Sequence, residues 1–453
     1  MERDTGFSLT LYREKGAGVI FAFPSGLHSD RYRVKQMKSG CGHVPAATNW
    51  DVVTLRDLDG IESIRSIWQQ MQNSEPFPAL NADIDRYIAY LKTTSDDARP
   101  YVMLVLHNDC PVAMVIGRVE TSKLRLRVGY ATFSCPRSKY LRVVYGGILG
   151  RPDADLCSWL VSELARRLRR REFDIVYFSY LRTDTPFYRA VRNMPGFLTR
   201  DRFPKIDEHW QMSIPEKIDQ FYTAHSRGHR HNIRSAIRKF ERDYPGDGKV
   251  VHYTSESDVD DFLRIAEDIS SRTYQSALGV GIVNDERTKC LTSAAAARGW
   301  FRGHILLAGG KPCAFQLGMR YHNVYYMVNI GYDPALSCYK PGLTLFLRVL
   351  ESLCDDPSVD MIDFYFGGAE YKHRYGTEHW SEARVHIFAL RPCPVFINAL
   401  RSFVEAVNAG LEYVVRKIGS AHWIKRKWRH LLQRKNPTGE PPASCSSQQD
   451  RSG

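Results

Sequence analysis

The sequence predicts an α/β protein built from two copies of one unit, each a mixed, mostly antiparallel sheet flanked by helices. Three observations predict it. First, residues recur at an offset of 201: Asp57-Leu58-Asp59 with Ile61 and Ile64 against Asp258-Val259-Asp260 with Phe262 and Ile265, and Pro111-Val112-Ala113 with Gly117 against Pro312-Cys313-Ala314 with Gly318. The same offset lays the turn Asn108-Asp109 on Gly309-Gly310. Second, each half follows this hairpin with a glycine-bearing turn and a one-sided helix. Third, each half then runs a short apolar strand into a segment bearing a Tyr. Helices and strands mixed in that order define an α/β unit.

In chain order, residues 1–48 lack periodicity and are rich in Gly, Ser and Lys, which predicts a poorly ordered N-terminal extension. Residues 49–214 are read as the first module. Its glycine turn is Tyr145-Gly146-Gly147-Ile148-Leu149-Gly150, and Leu156, Trp159, Leu160, Leu164 and Leu168 follow at the spacing of a helix with one buried face. Asp174–Phe178 is its strand, leading to Phe187-Tyr188-Arg189. Residues 215–392 are the second module, opening on a basic helix over 215–243 with Ile233, Ile237 and Phe240 inward and Arg227, Arg230, Arg234 and Arg238 opposite. Its turn is Tyr339-Lys340-Pro341-Gly342, where Pro341 suits a first helical turn that needs no N–H. Leu343, Phe346, Leu347, Leu350 and Leu353 follow as the helix, Asp360–Phe364 as the strand, and Glu370-Tyr371-Lys372 after it. Residues 393–435 read as C-terminal basic helices, and the Pro/Ser/Gln-rich stretch 436–453 as a disordered tail.

Composition bounds the function. With 43% apolar and 25% charged residues the chain is globular, which excludes wholesale disorder and fibres. No apolar run approaches the ~18 residues of a membrane-spanning helix. Met1-Glu2-Arg3-Asp4 leads into no apolar segment of a secretory signal, so a cytoplasmic location is expected. Ten scattered cysteines without a CxxC pair read as reduced thiols. His225, His229 and His231 would share a helix face only as a pair, and no HExxH, GxSxG or Walker A loop occurs, so no metal is expected. The formal charge of +13 points to an anionic ligand, nucleic acid or an anionic membrane. Arg416–Lys435 holds eight Lys/Arg and no acid, interleaved with Trp423, Ile424, Trp428, Leu431 and Leu432. Such a segment suits peripheral contact with the inner face of a membrane, or a helix packed on the domain with its charges in water.

Two stretches carry chemistry. Tyr339-Lys340-Pro341-Gly342-Leu343-Thr344 joins a strand to a helix, and amides at a helix N-terminus bind phosphate with help from the dipole; the plainer reading is a structural turn. Asp363 lies near the C-terminal end of a strand, where α/β ligand sites lie, or else pairs with a neighbouring Arg or Lys. The layout resembles GNAT-type acyltransferases. It is most similar to the CelD-like branch linked to cellulose and exopolysaccharide biosynthesis, which is related to the Fem-type aminoacyltransferases with two such modules. Arg272-Thr273-Tyr274-Gln275, Gly299-Trp300, Pro312 with Ala314-Phe315, Gly331-Tyr332-Asp333-Pro334, Pro341-Gly342, and Asp363-Phe364 with Tyr371-Lys372 carry the resemblance, which is sharpest over 220–392.

That resemblance implies acetyl-CoA or another acyl-CoA as donor, and no metal. The pyrophosphate would rest on Tyr339, Lys340, Pro341, Gly342, Leu343 and Thr344, and backbone amides at Asn329, Ile330 and Gly331 would polarise the thioester carbonyl. Asp363 and Glu370 are the candidate bases for the acceptor, an amine or hydroxyl. Tyr371 is either the acid that protonates the leaving thiolate or a structural Tyr. Lys372 binds an acidic substrate group or pairs with Asp363, and Tyr274, Gln275 and Trp300 would face the acceptor. The first module has Tyr177 where the second has Asp363, so the donor is expected in the second. The leading function is acyl transfer to a sugar, polysaccharide precursor or small amine. The alternatives are a Fem-type tRNA-dependent aminoacyltransferase, which the basic helix favours, or a non-catalytic accessory protein of a polysaccharide synthase.

Overall fold

A computed structural model describes residues 50–94, 98–128, 131–246, 248–273, 281–367 and 369–417. The expectations for 1–48, for the basic stretch beyond 417 and for the tail 436–453 lie outside the described residues, as do Tyr274 and Gln275.

The first half contributes β1 (Trp50–Leu55), α1 (Leu58–Ser63), α2 (Arg65–Asn73), α3 (Ile84–Lys92), β2 (Ala98–His107), β3 (Cys110–Val128), β4 (Ala131–Leu149), α4 (Ala154–Arg169), β5 (Ile175–Arg182), α5 (Pro186–Asn193) and β6 (Lys205–Ser213). The second contributes α6 (Ile218–Thr223), α7 (Arg227–Asp243), β7 (Val250–Tyr253), α8 (Val259–Ser271), α9 (Glu286–Ala297), β8 (Phe301–Ala308), β9 (Lys311–Tyr321), β10 (Val324–Tyr332), α10 (Pro341–Cys354), β11 (Met361–Asp363), α11 (Glu370–Tyr375) and β12 (Glu378–Phe388). The helix α12 (Pro392–Lys417) follows.

All strands join one sheet in the order β1-β2-β3-β4-β5-β12-β6-β11-β10-β9-β8-β7. The order reads the same from both edges once β7–β12 are matched to β1–β6. The modules have therefore exchanged their last strands: β12 pairs with β5, and β6 pairs with β11. The hairpins explain the repeat. Asn108 and Asp109 have φ of 50° and 63°, Gly309 and Gly310 59° and 71°, which is the pattern of a two-residue hairpin turn matched to strand twist. Pro111 and Pro312 each sit at an irregularity in the ladder, where a missing N–H does no harm.

Helix α10 is buried on nearly every side, with Leu345, Phe346, Val349 and Leu350 in the core under β8–β11. Helices α4 and α5 cover the corresponding face of the first module through Leu160, Leu164, Phe187 and Val191.

Two expectations need correction. Tyr145–Gly150 is not the turn before a helix; Tyr145 to Leu149 remain in β4. There Gly146, at φ 68°, lets the strand pass close to Ala79, whose methyl a Cβ would strike at 2.3 Å. The real turn is Arg151-Pro152-Asp153. Nor are the thiols uniformly reduced: Cys135, Cys157, Cys290, Cys313, Cys354 and Cys393 are free, but Cys110 and Cys338 are disulfide-bonded.

Candidate active site

In each module one parallel strand pair parts after a short contact. β4 pairs with β5 only from Tyr140–Val143, and β10 with β11 only through Val324, Tyr325 and Tyr326, the last opposite Asp363. Beyond Tyr326 β10 stays on β9, with an irregularity between Met327 and Asn329, and continues through Ile330 and Gly331 to Tyr332. A Cβ on Gly331 would lie 2.4 Å from the Phe315 ring, so the absent side chain is what lets β9 and β10 close there. The opening thus leaves Asn329–Gly331 on one side and the segment after Asp363 on the other.

The helices that follow differ at their N-termini. Lys340 at φ 50° leads into Pro341 and Gly342, and Arg151 at φ 48° leads into Pro152 and Asp153. Asp153 therefore stands where the second module has Gly342. Its Oδ1 accepts the Leu156 amide at 2.8 Å, Asp155 follows in the first turn, and Glu75 accepts the Gly150 amide at 2.8 Å. Acids already fill the positive end of that helix. By contrast α10 has no side-chain cap and no acid in its first turn, and Lys340 is exposed. The Leu343 and Thr344 amides turn back on the Lys340 carbonyl at 3.0 and 3.1 Å, and a Cβ at Gly342 would meet Tyr332 at 3.1 Å. Of the six residues expected to cradle a pyrophosphate, Tyr339 is buried against α7, with its hydroxyl 3.0 Å from Asp243.

Asp363 ends β11 buried and fully engaged. Its Oδ2 meets His209 Nε2 at 2.9 Å and the donating Gln211 amide at 3.0 Å, and its Oδ1 accepts the Tyr365 N–H at 2.6 Å. His209 Nδ1 lies 3.3 Å from Glu382, which also accepts from Tyr145 (2.9 Å) and Trp380 (2.7 Å). Tyr145 and Trp380 stack on the two sides of the imidazole, with centroids 5.9 and 4.6 Å away. Burial alone would lower the His209 pKa, but the two carboxylates outweigh it and raise it to about 9. The group is a buried imidazolium on β6 of the first half, clamped between carboxylates from β11 and β12 of the second.

Past Asp363 the chain turns through Tyr365, left-handed at φ 57°, whose hydroxyl donates to Asn81 at 3.0 Å. Lys372 is buried and donates to the carbonyls of Tyr365 and Phe366 at 3.1 and 2.7 Å. Burial lowers its pKa to about 8, against the pull of Asp363. A non-glycine residue in this conformation costs about 1–3 kcal/mol and persists only when its surroundings dictate it; here Asp363, Asn81 and Lys372 do so. Tyr371 packs edge-on to Phe364 at 5.9 Å, its hydroxyl has no partner among the described residues, and burial raises its pKa.

The structure thus gathers Asp363, Tyr371 and Lys372 at the end of β11. Glu370 is apart, exposed on α11 and paired with Arg374. Trp300 precedes β8, three strands from β11, packed edge-on against Tyr321. His209, Gln211, Glu382, Tyr145 and Trp380 were not anticipated. The only trace in sequence is the run His209-Trp210-Gln211, which puts two polar residues on one face of a strand. A cavity of about 340 Å³ between Pro215, Leu353 and Asp360 is at the other end of β11 and is unrelated to these groups. No cluster of three metal-ligating side chains occurs among the described residues.

The chain thus holds two repeated α/β units, each with a parting parallel strand pair. Residues 227–373 match the family model for an acetyltransferase (GNAT) domain. No curated protein matches the chain. Among solved structures, FemX is similar at 9% identity and TM-score 0.48, covering 70% of this chain and 95% of that one. A Bacteroides thetaiotaomicron protein of unknown function gives 11%, 0.45, 72% and 97%, and a tandem GNAT protein from the clavulanic acid biosynthesis pathway 11%, 0.43, 76% and 100%. At these scores none of the three bears on what this chain does.

Proposed function

We propose that the protein is an acyl-CoA-dependent acyltransferase whose donor binds in the second module. The acceptor is a sugar, polysaccharide precursor or small amine. The observation that carries this is the pair of helix N-termini: acids fill that of α4, while that of α10 keeps its positive end, a glycine and the exposed Lys340 for a pyrophosphate. The donor would supply an acyl group activated as a thioester. Amides of Asn329–Gly331 would face its carbonyl oxygen. Attack forms the bond from acceptor N or O to the acyl carbon and breaks the C–S bond. The acceptor proton leaves to water, and the half-buried, protonated Tyr371 gives its proton to the thiolate. Asp363 and Lys372 act by holding the turn that carries Tyr371, since the Asp363 oxygens are engaged and Glu370 faces solvent.

A second reading rests on α7, which turns Arg227, His231, Arg234 and Arg238 to solvent along one face, as a phosphate-rich partner such as tRNA would require. Thermal stabilisation separates the two. At 100 times its Kd a ligand adds about 2.7 kcal/mol. Acetyl-CoA and CoA should raise the melting temperature while ATP and bulk tRNA do not. A salt-sensitive response to tRNA without one to CoA would favour the aminoacyltransferase, and silence from all would favour a non-catalytic accessory role.

A further inference from the structure

The inner side of helix α12 packs Ile397 and Val404 into the core and also buries Asn398 (0% exposed), Arg401 (5%) and Ser402. Asn398 donates to the carbonyls of Leu198 and Arg200 at 3.0 Å, and Arg401 pairs with the buried Asp201. Its outer side is apolar. Phe396 (59% exposed), Ala399, Phe403 (66%), Ala406, Gly410 and Tyr413 (66%) fall three and four residues apart on one solvent-facing line. Among the described residues of α12, every exposed one is uncharged. The loop that α12 holds adds Phe197 and Leu198, both exposed, with the Arg202 guanidinium 4.8 Å from the Phe197 ring. A contiguous apolar surface of this kind marks a contact site.

The charge beside it identifies what covers it. The sequence that continues α12, Arg416–Lys435, has eight Lys/Arg, no acid and two Trp, and Arg200 and Arg202 flank Phe197. A second copy of this +13 chain would bring like charges together, whereas an anionic lipid surface takes apolar side chains and Lys/Arg at once. We infer that α12 and the Phe197 loop dock on an anionic membrane surface, with the Phe396–Tyr413 line in the interface. This rests on the outward face of α12, not on the acyl-CoA reading, and it can fail or hold independently of that reading.

The test is co-sedimentation of the full chain with vesicles of equal parts phosphatidylglycerol and phosphatidylcholine, against phosphatidylcholine alone, at physiological salt. Wild type should sediment with the anionic vesicles only. Phe396→Ser/Phe403→Ser should bind at least ~10-fold more weakly, from lost apolar burial, with an unchanged melting temperature because both rings are exposed. Failure to bind anionic vesicles, equal binding to both compositions, or undiminished binding by the double variant each overturns the proposal. So does a wild-type dimer in sedimentation velocity that the double variant loses, which would make a second copy the occupant.

Discussion

The clamp on His209 makes stability depend on pH in a defined direction. Its folded pKa of about 9 lies above the ordinary imidazole value of ~6.5, so the native state holds the proton more tightly. The stabilisation is complete below pH ~6.5 and is lost as pH rises through about 9. A shift of this size is worth on the order of 3 kcal/mol, of which roughly 2 kcal/mol should disappear between pH 6 and pH 8. Lys372 works in the opposite sense, because its pKa is depressed to about 8; its contribution improves mainly above that pH. His304, pushed down to about 3 by burial, affects only the acid side, below pH ~6.5. Both cancel when wild type is compared with His209→Gln. That variant leaves two buried carboxylates without their cation and should cost about 3–5 kcal/mol at pH 6. Urea unfolding of both proteins at pH 6 and pH 8 reads the gap directly. It should narrow by roughly 2 kcal/mol at the higher pH. A gap that is the same at both pH values would show that His209 is not held as an imidazolium, and would refute the reasoning.

Three further outcomes follow from single contacts. Tyr371→Phe removes the hydroxyl of a half-buried ring, which has no partner among the described residues, so stability should change by less than ~0.5 kcal/mol. If Tyr371 donates the proton, kcat should fall about 10²–10⁴-fold while KM for the donor holds; an unchanged kcat would make it structural. Gly331→Ala puts a methyl 2.4 Å from the Phe315 ring and should destabilise by about 1–3 kcal/mol in thermal unfolding. Asp153→Ala removes the α4 cap and should cost ~1 kcal/mol while leaving CoA affinity unchanged.

Local features were legible in the sequence. The two hairpins could be placed because their turns need left-handed residues, which Asn108-Asp109 and Gly309-Gly310 supply, and because the prolines sit at the same ladder irregularity. Helices α4 and α10 follow from spacing alone. The strand exchange was not legible, since nothing local says that β12 leaves its own module to lie beside β5. The His209 clamp was hidden for the same reason: its partners come from β11 and β12, far along the chain. Asp363 pairs with His209, not with the neighbouring Arg or Lys of the plainer reading. The glycine run at Tyr145 misled because glycine serves a strand irregularity as readily as a helix start. The true counterpart of Lys340-Pro341-Gly342 is Arg151-Pro152-Asp153, where the change from Gly to Asp gives α4 a side-chain cap that α10 lacks.

That difference is tested most directly by calorimetric titration of CoA into the full chain, into Lys340→Glu and Gly342→Trp, and into Asp153→Ala. The account predicts one site per chain, weakened at least ~10-fold in both second-module variants and unchanged in Asp153→Ala. Lys340 is exposed, so its variant tests the site without disturbing the core. Two sites per chain, or binding that survives both second-module changes and is lost in Asp153→Ala, would contradict it.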